Sequence, residues 1–180
     1  MFKHFCATAA LAIITTSAWS QSFDIKGIRL GTPKSQLGDN IANFFCTRTR
    51  ADLPFGCGHE RPFGDTTGYV AVLFDDNEQD MRVIAVSVIF AEEEFGSIAN
   101  ALTEKFGAPT SKSKESVSNR MGAKFDNAMF VWLAKDGETL RLQQRAGEVS
   151  KSIVELQGRA YVEYMAHKAK TSAKDSASKL

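Results

Sequence analysis

The stretch 81–90, MRVIAVSVIF, limits the fold of this chain more than any other segment. Ile84, Val86, Val88 and Phe90 make one wholly apolar face, and Val83, Ala85, Ser87 and Ile89 make a second that is nearly so. Side chains alternate across a strand, so a strand that is apolar on both sides needs cover on both and belongs at the centre of a sheet. The compact run 69–74 is its hairpin partner, and the acidic run Asp75-Asp76-Asn77-Glu78-Gln79-Asp80 is the turn between them. That run lacks the Gly and the spaced terminal Glu of a calcium loop, so it reads as a solvated turn.

The strongest helix follows at 92–106. Glu92, Glu93 and Glu94 complement the positive end of a helix dipole and Lys105 the negative end. Phe95, Ile98, Ala99, Leu102 and Phe106 share one face, Gly107 is a ready C′ residue, and Pro109 stops propagation. Upstream, 23–30 alternates like a half-buried strand. Thr32 and Pro33 then open a helix over 33–45, with Leu37, Ile41, Phe44 and Phe45 at helical spacing. Gly38 weakens that helix by about 1 kcal/mol relative to Ala. Downstream, 117–121 reads as a weak strand, 128–134 and 138–144 as a hairpin about Asp136-Gly137, and 153–165 as a strand with one exposed face. The Lys/Ser/Ala-rich tail 166–180 reads as disordered. The fold class is therefore α+β: two layers, two helices packed on one face of a mainly antiparallel sheet, with a possible internal duplication of helix-then-strands. One domain, 21–165, is expected from 180 residues.

Residues 1–20 read as a cleaved signal peptide. Lys3 and His4 precede an apolar stretch from Phe5 to Ile14, and Ala18-Trp19-Ser20 places small residues at −3 and −1 of a cut before Gln21. The apolar stretch is far shorter than the roughly 20 residues that span a bilayer, so no stable membrane insertion is expected after cleavage. Cys6 precedes the apolar region rather than following it, so it is not a lipidation site. These features place the protein in the periplasm or outside the cell. Two cysteines then remain, Cys46 and Cys57, and in an oxidising compartment they are expected to form a disulfide that stabilises the fold by roughly 3 kcal/mol. Two sharper readings of the same residues are a metal site from Cys46, Cys57, His59 and Glu60, and a cysteine nucleophile with His59 as base.

The run Gly27-Ile28-Arg29-Leu30-Gly31-Thr32-Pro33-Lys34-Ser35-Gln36-Leu37 resembles the strand–Gly–capped-helix opening of the outer-membrane-assembly lipoprotein family and of the β-lactamase-inhibitor-protein fold. A helix end like Leu102-Thr103-Glu104-Lys105-Phe106-Gly107-Ala108-Pro109 recurs in small envelope proteins. About twenty residues carry the likeness, and the lipidated Cys of the lipoproteins is missing. The resemblance implies a protein-binding envelope domain without catalysis.

Charge and motif content agree with binding. Of 22 Lys/Arg and 21 Asp/Glu, Lys3 lies in the leader, and Lys168, Lys170, Lys174, Lys179 and Asp175 in the last fifteen residues. That leaves 17 against 20 over 21–165, too acidic a body to displace the counterions of a nucleic acid. No Gly-x-Ser-x-Gly, phosphate loop or dinucleotide fingerprint occurs, and nothing calls for a cofactor or a metal. The segment 46–68 has no sustained period and carries Pro54, Gly56, Gly58, Pro62, Gly64 and Gly68. It reads as a disulfide-stapled loop presenting Arg48, Arg50, Leu53, Phe55, His59, Arg61 and Phe63 to another envelope or extracellular protein, since aromatics and Arg dominate interface hot spots. The alternatives are a small metal- or thiol-dependent enzyme centred on Cys46, Cys57 and His59, and a small-molecule carrier using the Phe-rich interior.

Overall fold

The structure is a computed structural model that describes residues 22–47, 54–75 and 79–177. Its strands are β1 (Phe45–Thr47), β2 (Phe55–Phe63), β3 (Thr66–Phe74), β4 (Val83–Ala91), β5 (Ser111–Ser118), β6 (Lys124–Leu133), β7 (Thr139–Gln143) and β8 (Lys151–Gln157). Helix α1 (Phe95–Phe106) joins β4 to β5, and α2 (Arg159–Ala177) follows β8. All eight strands form one sheet in the order β1-β2-β3-β4-β8-β7-β6-β5, and every neighbouring pair is antiparallel. The fold is α+β, and β4 takes the central place that its two apolar faces require.

Register divides the side chains cleanly. Residues directly opposite one another in a ladder point to the same side, so each cross-sheet row belongs to one face. Val72, Val86, Leu156, Leu140 and Trp132 form one inner row, and Val70, Val88, Val154, Leu142 and Phe130 the next. All but Phe130 are buried. Fully burying each such side chain stabilises the fold by about 1.5–3 kcal/mol, so these rows are the centre of the core. Helix α1 closes them with Ile98, Ala99, Leu102 and Phe106. The Phe106 ring meets Phe23 edge-on at 5.2 Å, and Phe95 meets Phe130 at 5.6 Å. Gly107, at φ +80, ends the helix, and its carbonyl accepts a hydrogen bond of 2.8 Å from Trp132 Nε1. The acidic triplet Glu92–Glu94 forms a 3-10 turn leading into the helix.

Several segments depart from the sequence reading. Residues 23–30 form no strand: Ile25 and Ile28 bond each other across a tight turn with Lys26 at φ 55 and Gly27 at φ 77. The expected helix over 33–45 is replaced by two 3-10 turns, Lys34–Gln36 and Gly38–Asn40. Gly38 has φ +46, a left-handed conformation that an α-helix cannot continue through. The expected loop 46–68 contains the end of β1, all of β2 and the start of β3, with Gly64 and Asp65 as the two-residue turn. The weak strand placed at 117–121 lies earlier, at β5, whose exposed Ser/Lys sequence suits a free edge because charged side chains discourage pairing with another chain.

At the C-terminus, β8 stops at Gln157, and the stretch read as strand to 165 and disordered tail beyond is helical as α2 up to Ala177. Gly158 separates the two, and no Gly or Pro interrupts 159–177, a run rich in Ala and Lys. The expectation of two helices on one face is corrected accordingly: the second α-helix is α2, and its Tyr161 and Met165 lie against outer-face residues of β1–β3. Among the described residues, no helix is long and apolar enough to cross a membrane. The proposed signal peptide, 1–20, lies outside the described residues.

Candidate functional site

The disulfide read from the sequence is formed: Cys46 and Cys57 are direct register partners on β1 and β2, with an S–S distance of 2.05 Å. It fastens a three-residue strand to the edge of the sheet. Arg48, Arg50 and Leu53 lie outside the described residues. The other four loop candidates, Phe55, His59, Arg61 and Phe63, occupy alternate positions of β2 in phase with Cys57 and share its inner face. Phe63 is buried against Phe90, with ring centroids 5.6 Å apart. Phe55 packs 6.2 Å from Phe74 beneath the Lys34 ammonium. Arg61 donates to the Asn40 carbonyl at 2.7 Å and stacks over Phe44, whose ring lies 6.1 Å from exposed His59. Phe55, His59 and Arg61 thereby fasten the 34–44 segment to the sheet. With both sulfurs in the bridge, neither is a thiolate, and Glu60 points to the opposite face from His59. Among the described residues, no group of three or more His, Cys, Asp or Glu could hold a metal ion.

The outer face has a different character. One row runs Gly56, Leu73, Ala85, Gln157, Thr139, Leu133. The next runs Phe45, Gly58, Ala71, Ser87, Glu155, Arg141, Val131, and a third Glu60, Tyr69, Ile89, Ile153, Gln143, Met129. Four large apolar side chains on these rows are exposed: Phe45 at 75%, Leu133 at 57%, Tyr69 at 47% and Ile89 at 40%. Such residues scattered singly would need no explanation, but here they lie on one face of one sheet. Sequence reasoning missed all four. For Phe45 and Tyr69 the available signal was strand parity, since the glycines at 56, 58 and 68 hide the alternation.

Helix α2 turns the β1–β3 end of this face into a groove of about 280 Å³, walled by Phe45, Tyr69, Leu73, Tyr161 and Met165 over the Gly56 and Gly58 backbone. The Tyr69 ring lies over Gly58, where a Cβ would come within 2.3 Å of its hydroxyl oxygen. Burial raises the Tyr161 phenol above its ordinary range and the Glu155 carboxylate adds to this, while Arg141 opposes it. Arg141 and Glu155 form an ion pair in the middle row, with Nε donating at 3.0 Å. The arrangement sets apolar side chains around the Arg141–Glu155 pair, with exposed Glu60 beside Tyr69 toward the β2 side, and is suited to burying apolar area from another molecule.

No protein-family model, curated protein or solved structure matches the chain. Its class is therefore set by fold and face alone: an α+β protein with an eight-stranded antiparallel sheet, one side closed by α1 and the other partly open.

Proposed function

We propose that the chain is an exported protein-binding module of a bacterial envelope, of inhibitor or immunity type or an accessory of envelope assembly, and that it meets its partner through the outer face of the sheet. One observation carries this reading: Phe45, Tyr69, Ile89 and Leu133 are exposed on the same face, while the inner face is packed. Aromatic side chains held on strands cost little entropy to present, and the Cys46–Cys57 bridge lowers that cost further for Phe45. The stapled hairpin keeps its place in the reading, but its outward residues Phe45 and Tyr69 replace Phe55 and Phe63. Export through a cleaved signal at 1–20, to the periplasm or beyond, belongs to the same proposal and is supported by the leader pattern and the disulfide. Internal duplication is supported by the strand order, in which β1–β4 and β5–β8 are mirror-ordered quartets, each following a helical segment. The role is one of binding without catalysis.

The test is affinity capture from envelope extract with the tagged chain 21–180, beside the variants Phe45→Ser and Ile89→Asp/Leu133→Asp. All three positions are exposed, so circular dichroism and the disulfide should be unchanged. A specific partner should be captured by the parent and lost with the variants. The same partner retained by both variants would remove the outer face from the reading, and no partner for the parent would remove protein binding.

A further inference from the structure

A second concavity lies on the other side of the molecule, apart from the outer face. The Ile25–Ile28 turn leans against α1 and leaves a pocket of about 220 Å³ walled by Ile25, Phe63, Ile98, Ala101 and Phe106. Its polar rim is Asp24, Lys26 and Lys105. Asp24 is already committed: its carboxylate takes Lys105 Nζ at 2.8 Å and the Gly27 N–H at 3.0 Å. Burial alone would raise the Asp24 carboxyl, but these hydrogen bonds, with the charges of Lys105 and Arg29, hold it below its ordinary range, so it stays ionised and neutralises Lys105. That leaves Lys26 as the uncompensated charge at the rim, with no ion pair among the described residues. Lys26 also holds a left-handed backbone, φ 55, at a position where glycine would be free of strain. A strained residue at the mouth of an apolar pocket motivates a functional assignment for its side chain.

We propose that this pocket binds a short-chain monocarboxylate, its tail among Ile25, Phe63, Ile98 and Phe106 and its carboxylate at the Lys26 ammonium. An apolar cavity of about 150 Å³ accepts benzene, so this pocket suits a tail of about six to nine carbons. The inference is independent of the outer-face reading, because the two sites share no residue.

The experiment is a methyl and amide NMR titration of the full exported chain with sodium octanoate, and in parallel with 1-octanol as the uncharged match. Saturable shifts should centre on Ile25, Ile98 and Ala101, and octanoate should bind more tightly than octanol. Lys26→Gly relieves the left-handed backbone while removing the ammonium, so it should melt no lower than the parent and lose octanoate affinity by about two- to fivefold, the range of a partly exposed ion pair. Its octanol affinity should not change. Ala101→Phe, at an exposed helix position, should fill the pocket and abolish both ligands. Shifts confined to Phe45, Tyr69 and Met165, or none up to the solubility limit, would overturn the site. Equal affinity for octanoate and octanol, unaffected by Lys26→Gly, would overturn the carboxylate assignment.

Discussion

Reducing the Cys46–Cys57 bridge should lower folding stability by about 2.8 kcal/mol. The two cysteines are 11 residues apart. The chain-entropy relation for a loop of that size gives about 9.3 cal/mol/K, which is about 2.8 kcal/mol at 25 °C. The folded side of the balance should change little, because Cys46 is half-buried on an edge strand and its reduced sulfur can rotate away from Cys57 to van der Waals distance. What the folded protein does lose is the fastening of β1, which has only three residue pairs to hold it, so its amides should exchange faster after reduction. The assay is a urea titration with and without a phosphine reductant. With residues 1–20 removed, Trp132 is the only tryptophan; it lies on β6, away from the bridge, and reports global unfolding. The midpoint should fall, with a thermal shift of about 6–11 °C downward for a chain of this size. A stability change below about 1 kcal/mol, or a Trp132 emission shift in reduced protein without urea, would refute the reasoning.

Two further predictions concern the inner layer and its rim. Trp132→Phe removes the Nε1–H bond to the Gly107 carbonyl and part of the largest fully buried side chain, and should cost about 2–3 kcal/mol in urea titrations followed by circular dichroism. Asp24→Asn should destabilise at pH 7 by no more than about 1 kcal/mol, since the Lys105 pair is partly exposed. The pH sign follows from a folded-state carboxyl that is depressed below 3.8: the stability it contributes is present above that value and is lost as pH falls through the folded one, so parent and variant should converge in acid. Glu138 runs the other way, because burial raises its carboxyl and it contributes stability as pH falls; the parent-minus-variant difference therefore isolates Asp24 where the raw acid limb does not.

The parts of the fold that were legible in the sequence are those where one local rule acts alone. The two-faced strand β4, the acidic-to-basic helix α1 with its Gly107 end, and the Asp136-Gly137 hairpin all follow from pattern and turn chemistry. Where two rules competed, the pattern misled. Leu37, Ile41 and Phe44 do face the core region, but the left-handed Gly38 breaks their helix into 3-10 turns. Val162 and Tyr164 alternate like a strand, yet Tyr161, Met165 and Lys168 recur at helical spacing in a run of good helix formers, and the helix forms. Parity also decides which face each candidate residue occupies. Shifting by one residue along a strand exchanges its two faces, and the aromatic positions chosen on β2 were the inward ones.

That same parity ties the most constrained segment to the proposed function. A strand apolar on both sides needs two covers, and β4 receives only one of them in full. Val86, Val88 and Phe90 are closed by the inner layer, whereas Ile89 on the outer side remains exposed beside half-buried Ile153. Helix α2 lines the β1–β3 end of that face, and the Arg141–Glu155 pair occupies the middle row. An ion pair there has a structural use: each charge satisfies the other, so the face can be covered by apolar atoms without stranding either. Complete cover of Phe45, Tyr69, Ile89 and Leu133 would recover part of the roughly 1.5–3 kcal/mol that each large side chain gains on full burial. Summed over four such residues, this is enough to offset a substantial part of the cost of association, and it is the reason that the missing second cover of β4 is assigned to a partner.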